Sequence, residues 1–206
     1  MSPIETLIEH FSKFPGIGPR QAKRFVYFLL AKDPIFREDF SLALIRLSEE
    51  ITQCASCFRY FQKVQEKNGN CPICSDTSRD ASKLIVVEKD VDFESVHKMG
   101  IWDGQYFILG GSLPILEKEP AKKIRSKELF YTVQERAKAG TLKEIILAMS
   151  ATAEGENTAT YLEPILGPLA QKYNLKITAL GRGLSSGTEL EYSDSDTMKN
   201  ALENRR

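Results

Sequence analysis

The sequence has no run approaching the roughly 20 apolar residues that a membrane-spanning helix needs, and its opening stretch, MSPIETLIEHF, has neither a basic n-region nor a long apolar h-region. A membrane span and a secretory leader are both disfavoured, and the protein is expected in the cytoplasm. It also lacks net charge: 28 lysines and arginines balance 28 aspartates and glutamates. The field of the whole molecule therefore does not attract nucleic acid, and any such binding must come from a local patch. No internal repeat or low-complexity tract is present, which sets aside solenoids and arrays. Cysteine is absent outside residues 54–74, so the reading of those four turns on metal rather than on a disulfide framework.

What is present suffices for a packed interior. The chain has 206 residues, 42% hydrophobic and 27% charged, enough for one large domain or several small ones. Residues 1–32 carry five basic side chains (Lys13, Arg20, Lys23, Arg24, Lys32) against two acidic (Glu5, Glu9), a local positive excess. Leu7, Ile8, Phe11 and Phe14 recur at helical spacing, as do Ala22, Phe25, Val26, Leu29 and Leu30, so two short amphipathic helices are predicted. Between them lies Pro15-Gly16-Ile17-Gly18-Pro19, whose glycines permit unusual backbone geometry and whose Pro19 suits a first helical turn. A third helix is predicted over about Ser41 to Ile51, with Leu44, Leu47 and Ile51 on one face.

Beyond the cysteines, Leu84 to Val87, Tyr106 to Leu109, Ile145 to Ala148 and Ile177 to Leu180 are short apolar runs that read as buried strands. Helices are predicted from Val91 to Met99, Ser126 to Lys138 and Asn157 to Tyr173, the last with Pro164 and Pro168 as candidate breaks, and a short one from Thr197 to Leu202. Such alternation predicts a mainly parallel sheet covered by helices.

Three constellations carry chemistry. At the glycine hairpin, main-chain N–H groups and the positive end of the second helix form an anion site that reads no base sequence. Arg20, Lys23, Arg24 and Tyr27 share a face of that helix and extend a phosphate footprint. By charge spacing alone, an ordinary hairpin with a solvated basic face fits as well; the Pro-Gly-Ile-Gly-Pro string favours binding. The second constellation is Cys54-x-x-Cys57 and Cys71-x-x-Cys74, with thirteen residues between the inner pair. It fits one tetrahedral zinc ion held by four thiolates about 2.3 Å away, a closed shell that is structural and not catalytic. Two matched pairs argue against a redox C-x-x-C. Arg59, Lys63 and Lys67 between them are candidate DNA contacts or a solvated loop.

In the third, Glu88 ends one predicted strand, and Ser150-Ala151-Thr152-Ala153-Glu154-Gly155-Glu156 follows another. The arrangement resembles the Toprim domain of topoisomerases and primases, in which a strand-end glutamate and paired aspartates hold magnesium. Ser150 and Thr152 stand at the aspartate positions, and neutral hydroxyls do not replace two carboxylates around a hard cation. Glu154 and Glu156 remain as a surface for a basic partner, or as solvated acids favoured by a helix N-terminus. A magnesium-dependent Toprim enzyme (primase, nuclease or topoisomerase) that uses Glu88, Glu154 and Glu156 is the alternative to a non-enzymatic binder, and an adaptor that binds only protein is a third reading.

Taken in order, Phe14 to Pro19, the four cysteines, Ser78-Arg79-Asp80, Val86-Val87-Glu88, Ile108 to Gly111, Ala153 to Ala159 and Gly187 to Tyr192 resemble the RecR recombination-mediator family. The resemblance implies a multidomain α/β fold: a helix-hairpin-helix domain over 1–53, a four-cysteine zinc finger over 54–75, a Toprim domain over 80–180, and a C-terminal arm over 181–206 exchanged with a neighbouring subunit. It implies a homotetrameric ring that clamps single- or double-stranded DNA without sequence specificity, with Arg20 and Arg24 as its basic contacts; Gly16, Gly18 and Lys23, read from the hairpin itself, complete the candidate DNA-binding set. It further implies partnership with RecO, and in many bacteria RecF, in loading RecA on gaps coated by single-strand-binding protein, with Glu88, Glu154 and Glu156 facing RecO. A nucleoid-associated cytoplasmic protein that holds one structural zinc and has no turnover of its own is the expectation. Two places depart from the family: Ser150-Ala151-Thr152 stands where an Asn-Pro-Thr-like turn is common, and Ile115-Leu116-Glu117-Lys118-Glu119 replaces a glycine-rich loop.

Overall fold

A computed structural model describes residues 1–184, 187 and 189–204. The chain divides into two compact units, Met1–Ile51 and Thr52–Arg206. The first holds three helices, α1 (Pro3–Ser12), α2 (Pro19–Ala31) and α3 (Pro34–Glu50), each with proline in its first turn, where a missing N–H breaks no helical bond. Ser2 and Glu5 form a capping box at α1, with Ser2 N–H donating to Glu5 Oε2 at 2.7 Å and Glu5 N–H to Ser2 Oγ at 3.3 Å. The α1 and α2 pair closes around Phe11, whose ring meets Phe14 and Phe25 edge-on at 5.7 Å each, and around the buried Ala22 and Val26.

The third helix differs from its predicted limits. It starts at Pro34 behind Asp33, which accepts the Phe36 N–H at 2.8 Å, and Ile51 leaves it for β1 (Ile51–Gln53). Leu44 and Leu47 are 52% and 60% exposed. No residue of α3 is buried, so no core-facing stripe marked its extent, and the cap set its start instead.

In the second unit, β1 and β2 (Tyr60–Gln62) form a two-stranded sheet, followed by α4 (Pro72–Ser75), β3 (Asp80–Val87), α5 (Asp90–Lys98), β4 (Gly104–Ile108), α6 (Pro120–Lys123), α7 (Ser126–Lys138), β5 (Glu144–Ala148), α8 (Ala153–Tyr173), β6 (Lys176–Ala179) and α9 (Ser195–Glu203). The main sheet runs β4-β3-β5-β6, all parallel, with Val87 beside both Ile108 and Ala148. Alternate residues of β3 serve two cores. Leu84 and Val86 pack with Leu129 and Val133 of α7 and Leu162 and Leu166 of α8, whereas Ile85 and Val87 pack with Phe93 of α5 and with Cys54, Cys57 and Cys71. The cysteine module is thus part of one face of the sheet.

Helix α8 runs unbroken through Pro164 and Pro168. Both are exposed, and four residues apart they share one face, so water can reach the carbonyls that lose a helical partner. Of the arm assigned to 181–206, positions 185, 186, 188, 205 and 206, including Thr188 of the Gly187 to Tyr192 motif, lie outside the described residues. Among the described residues, no helix is long and apolar enough to cross a membrane. The protein is a multidomain α/β chain with an N-terminal helical hairpin, a four-cysteine cluster and a parallel sheet flanked by helices.

Candidate nucleic-acid interface, metal centre and strand-end cluster

At the hairpin, Ile17 N–H donates to Phe14 O and Ala22 N–H to Gly18 O, both at 3.0 Å. Gly16 has φ +74°, a region that excludes most side chains. Gly18 has an ordinary extended backbone, φ −83° and ψ 168°. A Cβ at either glycine would meet nothing within 4 Å, so nothing inside the chain demands glycine at 18; its small size leaves the outer side of the turn open. Helix α2 starts there with no side-chain cap and no acid in its first turn. Every other helix of eight or more described residues has a carboxylate at its cap or in its first turn: Glu5, Asp33, Asp90, Glu128, Glu154 and Asp194. Among these longer described helices α2 alone starts with uncompensated N–H groups, and it adds Arg20 beside them. Arg20, Lys23, Arg24 and Tyr27 are all exposed. Lys23 Nζ lies 5.8 Å from the centre of the Tyr27 ring, and Arg24 donates to Gln21 Oε1 at 3.4 Å. Among the described residues no carboxylate pairs with Arg20, Lys23 or Arg24.

The four cysteine sulfurs lie within 4.8 Å of one another. Both C-x-x-C turns close on a main-chain bond at 3.0 Å, Phe58 N–H to Cys54 O and Ser75 N–H to Cys71 O, and Cys71 N–H donates to Cys54 Sγ at 3.3 Å. Cys57 Sγ and Cys71 Sγ are 3.8 Å apart. That is far beyond a disulfide of about 2.05 Å, and it matches the edge of a tetrahedron with metal–sulfur bonds of about 2.3 Å. Hydrogen bonding with Cys57 first, then Cys71 and Cys74, holds the Cys54 thiol far below its ordinary range, and the same contact pushes Cys57 far above it. A divalent cation at this point would displace the thiol protons, because the thiolate is the ligand. The donor set fits one thiophilic metal ion with no open coordination position.

Packing also decides how far the loop between the cysteine pairs can serve DNA. Arg59 is half-buried, its guanidinium 4.8 Å from the Phe93 ring centre and 6.0 Å from that of Phe61, so it is held against the sheet unit's own rings. Lys63 and Lys67 are exposed.

The strand-end cluster is arranged differently from a metal site. Because Val87 and Ala148 are level on adjacent strands, the residues after them converge at the carboxyl edge of the sheet. Glu88 is 3% exposed. Ser150 N–H donates to its Oε1 at 2.8 Å and Ser150 Oγ–H to its Oε2 at 3.1 Å, so donors already serve both oxygens. Gly155 seats α8 against this pair: a Cβ there would lie 2.1 Å from Ser150 O and 3.0 Å from Glu88 Oε1. Glu154 and Glu156 are exposed; Glu154 accepts from Ser112 Oγ at 3.1 Å, and Glu156 is ion-paired with Arg182. Of the three acids the sequence groups together, Glu88 thus lies beneath the surface that the other two occupy. Among the described residues, the cysteines alone bring three or more His, Cys, Asp or Glu ligand atoms together. Sequence reasoning gave no role to Ser112 or Arg182; the pairing of strand ends that brings them in is invisible to local pattern.

Three family models match parts of the chain. Residues 4–46 match the family model described as RecR, helix-hairpin-helix, residues 82–181 match the Toprim domain, and residues 183–206 match RecR, C-terminal. The chain is 37% identical to Recombination protein RecR of Chlorobium limicola over 203 residues, covering 98% of this chain and 95% of that protein. It is 35% identical to the Lactobacillus acidophilus protein of that name (98% and 96% covered) and 34% identical to the Mycobacterium leprae one over 204 residues (99% and 97% covered).

Proposed function

The chain belongs to the RecR family of recombination proteins, and from that premise we propose that it is a DNA-binding mediator of recombinational repair, acting with RecO, and with RecF where present, to help load RecA on gaps coated by single-strand-binding protein. The observation that carries the DNA half of this reading is the start of α2, where a glycine turn leaves main-chain N–H groups without a carboxylate and Arg20, Lys23 and Arg24 stand exposed beside them. A backbone phosphate is the ligand that such a turn fits, with Gly16 shaping it and Gly18 allowing close approach. Contacts of this kind grip single- or double-stranded DNA without reading its sequence. Lys63 and Lys67 are secondary candidates.

The four thiolates hold one zinc ion per chain, whose role is to fold the cysteine module onto the sheet. At the carboxyl edge of the sheet, Glu154 and Glu156 face RecO, with Glu88 behind them fixing the Ser150 turn. The protein turns over no substrate of its own: Ser150 and Thr152 stand where a Toprim metal site needs two carboxylates, and neutral hydroxyls do not replace them around a hard cation. A homotetrameric ring, with the 181–206 arm exchanged between subunits, accounts for α3, a helix of 17 residues none of which is buried. The protein acts in the cytoplasm, at the nucleoid when bound to DNA, and the domains follow the limits 1–53, 54–75, 80–180 and 181–206.

The test is RecA filament assembly on gapped DNA coated by single-strand-binding protein. Addition of this protein with RecO should shorten the lag. An unchanged lag would overturn the mediator reading, and magnesium-dependent nicking of the DNA that disappears in Glu88→Gln would replace it with a Toprim enzyme.

A further inference from the structure

Exposed turns usually place glycine, proline, asparagine or aspartate at their corners. The turn after β4 does not. Glu117 N–H donates to Pro114 O at 3.1 Å, which puts Ile115 and Leu116 at the two corners, 66% and 89% exposed. Both shoulders of the turn are clamped. On one side the buried Leu113 donates its N–H to Thr158 Oγ1 at 2.8 Å, and Asn157 Nδ2 donates to the carbonyls of Leu113 and Pro114 at 3.1 Å each. On the other, the Glu117 carboxylate accepts the Glu119 N–H at 3.0 Å and lies 3.8 Å from Lys123 Nζ. An aliphatic pair on a slack loop loses entropy when it docks; a pair on a clamped turn has little left to lose.

The position of the turn says what covers it. Asn157 and Thr158 belong to the same opening turns of α8 as Glu154 and Glu156, and Ser112, just before Leu113, is hydrogen-bonded to Glu154. The aliphatic tip and the acids therefore form one continuous surface, apolar at one end and anionic at the other, where the Glu154 carboxylate meets, among the described residues, only the Ser112 hydroxyl and Glu156 shares its charge with Arg182. A protein whose cationic rim meets the acids brings its own surface against the tip. We propose that Ile115 and Leu116 are an apolar anchor that seats in a hollow on a basic protein partner, beside the rim that meets Glu154 and Glu156. The inference rests on the reading above, in which that acidic surface faces RecO.

The test compares two variants of the full-length protein for binding to purified RecO across a range of salt. Ile115→Ser with Leu116→Ser should lose about tenfold in affinity, chiefly through faster dissociation, with an unchanged salt dependence. Because both side chains face solvent, its thermal unfolding should match the parent. Glu154→Gln with Glu156→Gln should instead associate more slowly and show a flatter salt dependence. Parental affinity and dissociation rate in the serine variant, alongside weakened binding by the glutamine variant, would overturn the anchor and leave the acidic surface standing. Parental behaviour in both variants, or no binding of RecO by the parent, would overturn the RecO-facing surface and the anchor together. A smaller mass in light scattering for the serine variant alone, without RecO, would make the occupant a second copy of this chain and overturn the proposal.

Discussion

Met1–Ile51 buries two side chains, Ala22 and Val26, whereas in the second unit β3 is buried from Leu84 to Val87 and β4 from Gly104 to Ile108. The contrast extends to charge. In the sheet unit the long helices start with acids and the buried Glu88 is met by donors; in the hairpin unit α1 and α3 do the same with Glu5 and Asp33, and α2 departs from them, with Arg20 in its first turn and no acid. The sheet unit holds the larger core but also exposes Ile115 and Leu116, whereas the hairpin unit leaves α3 with no buried residue and the start of α2 without an acid.

The largest expected effect tests the self-sufficiency of the sheet unit. Cys54→Ser should abolish retention of the one zinc per chain by elemental analysis and lower thermal stability by several kcal/mol, because the free energy of a structural metal is folding free energy. A freshly purified parent with no zinc would contradict this. A smaller loss is expected from Gly155→Ala, whose methyl group meets the Ser150 carbonyl oxygen; it should destabilise the sheet unit by about 1 to 3 kcal/mol in denaturant unfolding. Parental stability would mean that the α8 start and the Ser150 turn are not tightly seated.

On the other side of the comparison, Leu44→Ser with Leu47→Ser should leave helix content unchanged by circular dichroism while lowering the oligomer mass in light scattering. A fall in helix content at unchanged mass would make α3 part of its own unit's core. The smallest effect is acidic. The Ser82 hydroxyl first, and then Lys83, hold the Asp80 carboxyl down to about 2 from its ordinary 3.8. A depressed carboxylate stabilises the fold at pH above about 4, and that contribution is lost as pH falls through about 2. NMR titration should find Asp80 still ionised at pH 3; protonation near its ordinary value would remove the Asp80-Ser82 turn from the account.

Much of this contrast was legible in the sequence. Three strands and Ser126 to Lys138 were readable because buried residues there form unbroken or periodic apolar runs; Ile177 to Leu180, expected as a buried strand, is instead the edge strand β6 with no buried residue, since among the described residues no strand covers its outer side. The third helix was misplaced because its apolar residues face several directions, and the useful signal was local: Asp33 before Pro34, a cap before a first-turn proline. The three-residue strands β1 and β2 are too short for any period to register. The cysteines announced their convergence by spacing, since two C-x-x-C turns have few ways to meet. The setting of Glu88 did not show, because whether a strand-end carboxylate meets a metal, a partner or a serine depends on which strand lies beside it. The continuity of α8 through Pro164 and Pro168 likewise depends on their facing water, which follows from packing and not from the prolines themselves.

On the proposed function, this electrically neutral chain holds DNA through the start of α2. The most direct test is the affinity of the parent and of Arg20→Ala with Arg24→Ala for a short DNA duplex and for single-stranded DNA at several salt concentrations. The double variant should bind both more weakly, and the slope of log affinity against log salt should shrink by about 1 per lost phosphate contact. Parental affinity and slope in the variant would contradict the account.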